Sequence, residues 1–110
     1  MPYIKTSTNV EISEEKINSI KTKFGRAINA IGKTEDWLML EFSDSCKMYF
    51  RGNDTPMAFL DVKVLGPVNN SNEMTRILTD IISSELNISP NNIYIAYKSY
   101  SDWGYNGNNF

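Results

Sequence analysis

Residues 57–97 read MAFLDVKVLGPVNNSNEMTRILTDIISSELNISPNNIYIAY, and this stretch decides the fold. Apolar and polar side chains alternate from Met57 to Leu65, which indicates a strand. Gly66 and Pro67 then break the strand. After the turn at residues 89–92, Ile93 to Tyr97 forms a second strand.

A helix is predicted between these two strands, with Ser71 or Asn72 as its N-cap. Its apolar side chains recur at helical spacing, which gives one face for the core. This stripe consists of Met74, Ile77, Leu78, Ile81, Ile82 and Leu86. Residues 57–97 therefore form one strand–helix–strand unit.

The first half of the chain repeats this order. Pro2 to Val10 favours a strand, and Ser13 is a good N-cap for the helix that follows. The apolar face of that helix consists of Ile17, Ile20, Phe24, Ala27, Ile28 and Ile31. Gly32 is placed to end the helix. Trp37 to Phe42 then predicts a buried strand, and Lys47 to Arg51 a short returning strand.

Two such units predict an α+β fold in a single domain covering residues 1–110. We expect two β-α-β repeats to form a four-stranded mixed sheet, with both crossover helices on one face. The other face would then be bare, although its strands are rich in apolar side chains. Sheets with parallel pairs are usually covered on both sides, so the pattern predicts self-association.

Composition excludes several classes of function. The 110 residues carry a net charge of −2, which argues against a nucleic-acid partner. No apolar run is long enough to span a bilayer, and the N-terminus does not resemble a signal peptide. Cys46 is the only cysteine, so a reducing cytosol fits best. The absence of His removes Ser-His and Cys-His nucleophile pairs and the commonest zinc sites.

Six short motifs resemble the macrophage migration inhibitory factor family. They are Met1-Pro2, Asn9-Val10, Gly32-Lys33, Leu65-Gly66, Ile88-Ser89-Pro90 and Tyr94-Ile95. Each motif is common alone, but their order and spacing match the family along the whole chain. The resemblance implies a homotrimer whose sheets line a central barrel, in agreement with the self-association predicted above.

The resemblance also implies an active site at the N-terminus. Removal of Met1 would expose the secondary amine of Pro2 as the catalytic base. Burial and a nearby cation both lower the pKa of an amine, which leaves it neutral and able to accept a proton. In the family, the lysine at the Lys33 position lies in the site and pairs with a substrate carboxylate. The backbone N–H of Leu65 is similar to the family's substrate-binding amide.

Further side chains match the family's pocket. Tyr94 is similar to a tyrosine that a neighbouring subunit presents to the substrate. Trp37, Tyr105 and Phe110 fall where aromatic pocket walls are found, and Tyr3 could help to enclose the base. Without the resemblance, these residues have simpler interpretations: a proline that starts a strand, a solvated lysine and a tyrosine packed across strands.

The implied reaction is keto–enol tautomerisation of an α-keto acid such as phenylpyruvate, with no metal or cofactor. A second hypothesis is an extracellular signalling protein that binds a receptor and keeps its pocket as a relic. A third is a ferredoxin-like module with no pocket. We expect a cytoplasmic location, or secretion without a signal peptide as in the family's cytokines.

The chain departs from the family at three places. Ala96 stands where vertebrate members have an asparagine near the substrate, and this removes one hydrogen bond. Pro67 replaces a more usual Lys or Gly after the Leu-Gly step. Met57 to Leu60 lacks the Cys-x-x-Cys of those members, and Cys46 alone cannot form a dithiol.

Overall fold

A computed structural model describes all 110 residues of the chain. The chain forms strand–helix–strand twice, as the two-fold repeat predicts, and adds two short strands in the tail that were not predicted. The elements are β1 (Pro2–Thr8), α1 (Glu14–Ala27), β2 (Met39–Ser43), β3 (Ala58–Leu65), α2 (Ser71–Leu86), β4 (Ile93–Tyr100), β5 (Gly104–Tyr105) and β6 (Asn108–Asn109). Short 3-10 turns cover Ile28–Ile31, Glu35–Trp37 and Pro90–Asn92.

The first four strands form one mixed sheet in the order β2-β1-β3-β4. β1 pairs in parallel with β2, and β3 pairs in parallel with β4. Each parallel pair is joined by one crossover helix, as a β-α-β unit requires. The two units meet through the antiparallel pairing of β1 with β3 at the centre of the sheet. This confirms the predicted fold class.

Local side-chain chemistry explains where the helices begin and end. The Ser13 hydroxyl accepts a hydrogen bond from the backbone N–H of Lys16 at 3.2 Å, as predicted for an N-cap. Gly32 ends the first helical segment with φ of 76°, a left-handed conformation that glycine adopts at little cost. The second helix is capped by Asn70 rather than by Ser71 or Asn72, so that prediction was wrong by one residue.

Both helices pack on the same face of the sheet. Their apolar stripes and alternate residues of β1 and β3 form one buried cluster. Its fully buried members include Ile4, Ile20, Phe24, Leu60, Val62, Val64, Met74, Leu78 and Ile82. The strict alternation of buried and exposed residues along β3 places every second side chain in this core.

Two predicted strands differ from the structure. Trp37 lies in a 3-10 turn with 48% of its surface exposed, and β2 is a half-exposed edge strand rather than a buried one. Lys47 to Arg51 forms no strand, and only an isolated bridge joins Phe50 to Asn53. Both segments lie outside the centre of the sheet, where an apolar composition does not require burial within the chain.

The open face of the sheet is less apolar than the sequence suggests. Charged residues interrupt it, with Lys5 Nζ 3.8 Å from a Glu41 carboxylate oxygen and Lys63 Nζ 3.6 Å from one of Asp61. Exposed apolar side chains remain on the edge strands, at Met39 and Tyr94, and at Phe59 near the start of β3. Neither helix is long and apolar enough to cross a lipid bilayer.

The core predicts a specific stability contrast within α2. Leu78 is fully buried, whereas its neighbour Ile77 is only partly buried. Leu78→Ala should lower the free energy of unfolding by about 2–5 kcal/mol, because it leaves a cavity as well as losing apolar burial. Ile77→Ala should lower the free energy of unfolding by a clearly smaller amount. Urea denaturation of both variants at one protein concentration measures the difference, and equal losses would contradict this packing.

Candidate active site at the N-terminus

Pro2 is buried at the start of β1, next to the end of β3. Its register partner across the antiparallel pair is Val64. Because β1 occupies a central position in the sheet, the N-terminus is enclosed by structure on both sides. The fold therefore brings Pro2 to Leu65, as the predicted site requires.

Lys33 reaches the same place from the opposite side. Gly32 turns the chain sharply after the first helical segment, and Lys33 follows it. The Lys33 ammonium donates a hydrogen bond to the Leu65 carbonyl oxygen at 3.1 Å. The structure thus brings together Pro2, Lys33 and Leu65, which are far apart in sequence.

The Leu65 amide is not free when Met1 is present. Its N–H donates to the Met1 carbonyl oxygen at 3.2 Å, whereas the sequence led us to expect an accessible donor. Met1 also lines the cavity beside Pro2. A chain that begins at Pro2 lacks this carbonyl, so the N–H of Leu65 is then open to another acceptor, such as a carboxylate oxygen.

The environment of the N-terminus disfavours a charged amine. Burial lowers the pKa of the Met1 amino group, and the positive charge of Lys33 lowers it further. Both influences are those expected for an amine that acts as a base near neutral pH.

Trp37, Tyr105 and Phe110 form a cluster near the N-terminus, which we call the aromatic wall. The rings of Trp37 and Tyr105 meet edge to face with centroids 5.1 Å apart, and Tyr105 stacks with Phe110 at 6.1 Å. Tyr105 belongs to a terminal hairpin in which Gly104 pairs with Asn109. The hairpin explains why a Gly- and Asn-rich tail carries aromatic side chains: it folds back over the site.

Trp37, Tyr105 and the N-terminus border an open cavity of about 420 Å³, which Phe110, Lys33 and Leu65 do not line. Its lining residues are Met1, Pro2, Tyr3, Asp36, Trp37, Leu38, Met39, Trp103, Gly104 and Tyr105. Sequence reasoning missed Trp103 and Asp36. The aromatic content of the tail was a signal for Trp103, but no sequence signal indicates that Asp36 lines the cavity while Glu35 does not.

Tyr3 lines the cavity but is poorly suited to act as a base. Its hydroxyl donates a hydrogen bond to the Glu41 carboxylate. This hydrogen bond, with smaller effects of burial and of the Glu41 and Asp61 charges, raises the pKa of Tyr3 to about 12. Tyr3 is therefore protonated near neutral pH and serves as a wall, in agreement with its predicted role.

Tyr94 lies away from the other site residues. Pro2 is level with Val64 and Ser99 across the sheet, and Tyr94 is five residues before Ser99 on β4. At roughly 3.3 Å per residue, that offset is about 17 Å along the strand. Tyr94 instead packs against Phe50, with ring centroids 5.0 Å apart. Within one chain, Tyr94 cannot reach the cavity.

The chain as a whole matches known proteins. The family model described as macrophage migration inhibitory factor (MIF) matches residues 1–110. The chain belongs to the macrophage migration inhibitory factor family. A curated relative, the macrophage migration inhibitory factor homolog of Trichuris trichiura, is 30% identical over 118 aligned residues. The alignment covers 100% of both chains.

Solved structures of family members share the fold. The crystal structure of Leishmania major MIF2 superposes with a TM-score of 0.93 at 31% identity, covering 100% of this chain and 97% of that one. A macrophage migration inhibitory factor homologue from Prochlorococcus marinus gives 0.89 at 25% identity, with 98% of each chain covered. The resemblance inferred from the six sequence motifs is thereby confirmed.

The contact between Lys33 and the N-terminus predicts a measurable pKa change. In protein that retains Met1, the amino group should titrate below its ordinary value of about 8. Lys33→Ala should raise that pKa, because it removes the charge that disfavours the ammonium form. NMR detection of the isotope-labelled Met1 amine across a pH series measures both values.

Lys21→Ala is the matched control, since Lys21 is an exposed lysine on α1 that is not among the causes of the shift. It should leave the pKa of the Met1 amine unchanged. Equal effects of the two substitutions would mean that total charge, rather than the position of Lys33, determines the shift.

Proposed function

We propose that the protein is a keto–enol tautomerase for aromatic α-keto acids such as phenylpyruvate, with the Pro2 amine as its base after removal of Met1. The observation that carries the proposal is the convergence of Lys33 and the Leu65 amide on the N-terminus, where Pro2 lines a cavity that also contains Trp37, Trp103 and Tyr105. Family membership supports it independently.

The contacts suggest how a substrate is held. The Met1 carbonyl oxygen accepts from the Leu65 N–H, so it occupies a position suited to a substrate carboxylate oxygen. Lys33 lies close enough to supply the opposite charge, since its ammonium already reaches the Leu65 carbonyl. The apolar part of the substrate would then extend along Trp37 and Tyr105.

The reaction needs one base and one group that stabilises negative charge. The neutral Pro2 nitrogen takes the proton from the carbon next to the ketone, and the C–H electron pair forms the new double bond. The carbonyl oxygen gains the displaced pair as an enolate, and the proton held by Pro2 is returned to this oxygen, directly or through water, which gives the enol and restores the neutral amine. Hydrogen-bond donors directed at this oxygen lower the barrier most when they are held in place beforehand.

The donor for the enolate is the Tyr94 hydroxyl of a neighbouring copy in a homotrimer. Two observations support association of copies near Tyr94. A mostly apolar pocket of about 140 Å³ lies there, lined in part by Met48, Phe59 and Tyr94. Residues 47–49 make no backbone hydrogen bond within the chain, so their backbone groups can pair with another chain.

The first test compares turnover by trimmed protein with turnover by Pro2→Gly. Removal of Met1 is verified by mass spectrometry, and phenylpyruvate and 4-hydroxyphenylpyruvate are the substrates. We expect kcat/KM to fall by about a hundredfold or more in Pro2→Gly, the usual scale of a lost general base. Pro56→Gly, in an exposed loop, is the control and should retain activity.

Activity that survives Pro2→Gly would reject Pro2 as the base. An absence of turnover in trimmed wild-type protein would reject the tautomerase and favour a binding or signalling role. Ala96 and Pro67, where the chain departs from vertebrate members, would then mark the altered pocket.

Mixed subunits test the origin of Tyr94. Pro2→Gly and Tyr94→Ala chains, unfolded and refolded together, should recover activity that neither has alone. In a random trimer, about a quarter of the sites combine an intact Pro2 from one chain with an intact Tyr94 from its neighbour.

Pro2→Gly mixed with Lys33→Ala is the control, since Lys33 and the N-terminus meet within one chain. Every chain in that mixture lacks either Pro2 or Lys33. No chain can then supply both residues, so no activity should return. Recovery in the control, or none in the Tyr94 mixture, would contradict the shared site.

A further inference from the structure

Asp36 is the one acidic side chain that lines the cavity beside Pro2. It lies in the 3-10 turn Glu35–Trp37, directly before the aromatic wall. The neighbouring Glu35 points elsewhere, since its carboxylate lies against Gly25 of α1. Asp36 forms no salt bridge within the chain, so its carboxylate is available to a ligand.

The charges around the cavity orient an anionic substrate. Lys33 attracts a carboxylate toward Leu65, whereas Asp36 repels it. Asp36 lines the cavity together with Trp37 and Tyr105, whereas Lys33 and Leu65 do not line it. In the proposed binding mode, Asp36 is therefore on the side of the cavity that takes the ring of the ligand rather than its keto acid.

A carboxylate at this place favours a particular ligand. An ionised carboxylate only accepts hydrogen bonds, and those it accepts are stronger than bonds between neutral groups. An unsubstituted phenyl ring displaces water from the carboxylate and offers no hydrogen-bond donor in its place. A ring that bears a hydroxyl or N–H group can donate a hydrogen bond to the carboxylate.

We infer that Asp36 is the specificity-determining residue of the cavity and selects aromatic acids whose ring carries a hydrogen-bond donor. This inference rests on the proposed function for the position of the substrate carboxylate. It does not depend on turnover, because selection by Asp36 operates in binding.

The test is a titration with ligands that cannot react. Trimmed protein in its native assembly is titrated with 3-phenylpropanoate, 3-(4-hydroxyphenyl)propanoate and 3-(4-methoxyphenyl)propanoate. The chain has two tryptophans, Trp37 and Trp103, and both line the cavity, so their fluorescence reports binding there. The methoxy compound keeps the size of the substituent but lacks the donor.

The hydroxyl compound should bind roughly tenfold more tightly than the other two, the scale of one hydrogen bond to a charged group. Asp36→Ala should remove this preference, and Asp36→Asn should reduce it. Asp102→Asn is the control, because it makes the same charge change at an exposed acid beside Trp103 that does not line the cavity. It should keep the preference.

Equal affinity for the three ligands in wild-type protein would overturn the inference, as would a preference that survives Asp36→Ala. Steady-state turnover of phenylpyruvate separates this result from the proposed function. Selective binding without turnover would reject the tautomerase and leave the role of Asp36 intact. Turnover without selective binding would support the tautomerase and overturn the role of Asp36.

Discussion

The antiparallel pairing of β1 with β3 is the constraint on which the rest of the molecule depends. It joins two β-α-β units at the centre of one sheet and aligns Pro2 with Val64. The N-terminus is thereby fixed beside the end of β3, and a terminus held between two neighbouring strands is not free to fray. A shift of the register by one residue would turn Pro2 and every buried side chain of β1 toward the other face. Core packing and site geometry are therefore set by the same alignment.

The two faces of the sheet differ in burial and in charge. On the helix side, alternate residues such as Ile4 and Leu60 are fully buried in a continuous core. On the open side, Lys5 and Lys63 each lie near a carboxylate while remaining partly exposed. Burying such charges in a dry contact costs several kcal/mol per ion before pairing compensates. A dry contact through this side is therefore costly wherever it would bury Lys5 or Lys63.

Much of the fold could be predicted because helices and central strands have strong periodic signals. The alternation in β3 and the stripes of both helices correspond to residues that the core buries. The predictions failed where burial depends on neighbours: Trp37 to Phe42 is apolar but lies at an edge, and Lys47 to Arg51 has no partner strand in its own chain. Within the site, Pro2, Lys33, Leu65 and the aromatic wall could be anticipated from the family resemblance. The place of Asp36 in the cavity could not, because it depends on the direction of a short turn.

The location of Tyr94 follows from strand geometry rather than from side-chain flexibility. On β4, it is separated from the level of Pro2 by five residues, and no rotamer of a tyrosine spans about 17 Å. The sheet thus keeps Pro2 and Tyr94 at opposite ends of its strands. The end that carries Tyr94 also carries exposed apolar surface and the unpaired backbone of residues 47–49. The proposed function therefore uses residues from both ends of the chain. Its site is complete only when the Tyr94 end of one copy lies against the Pro2 end of the next.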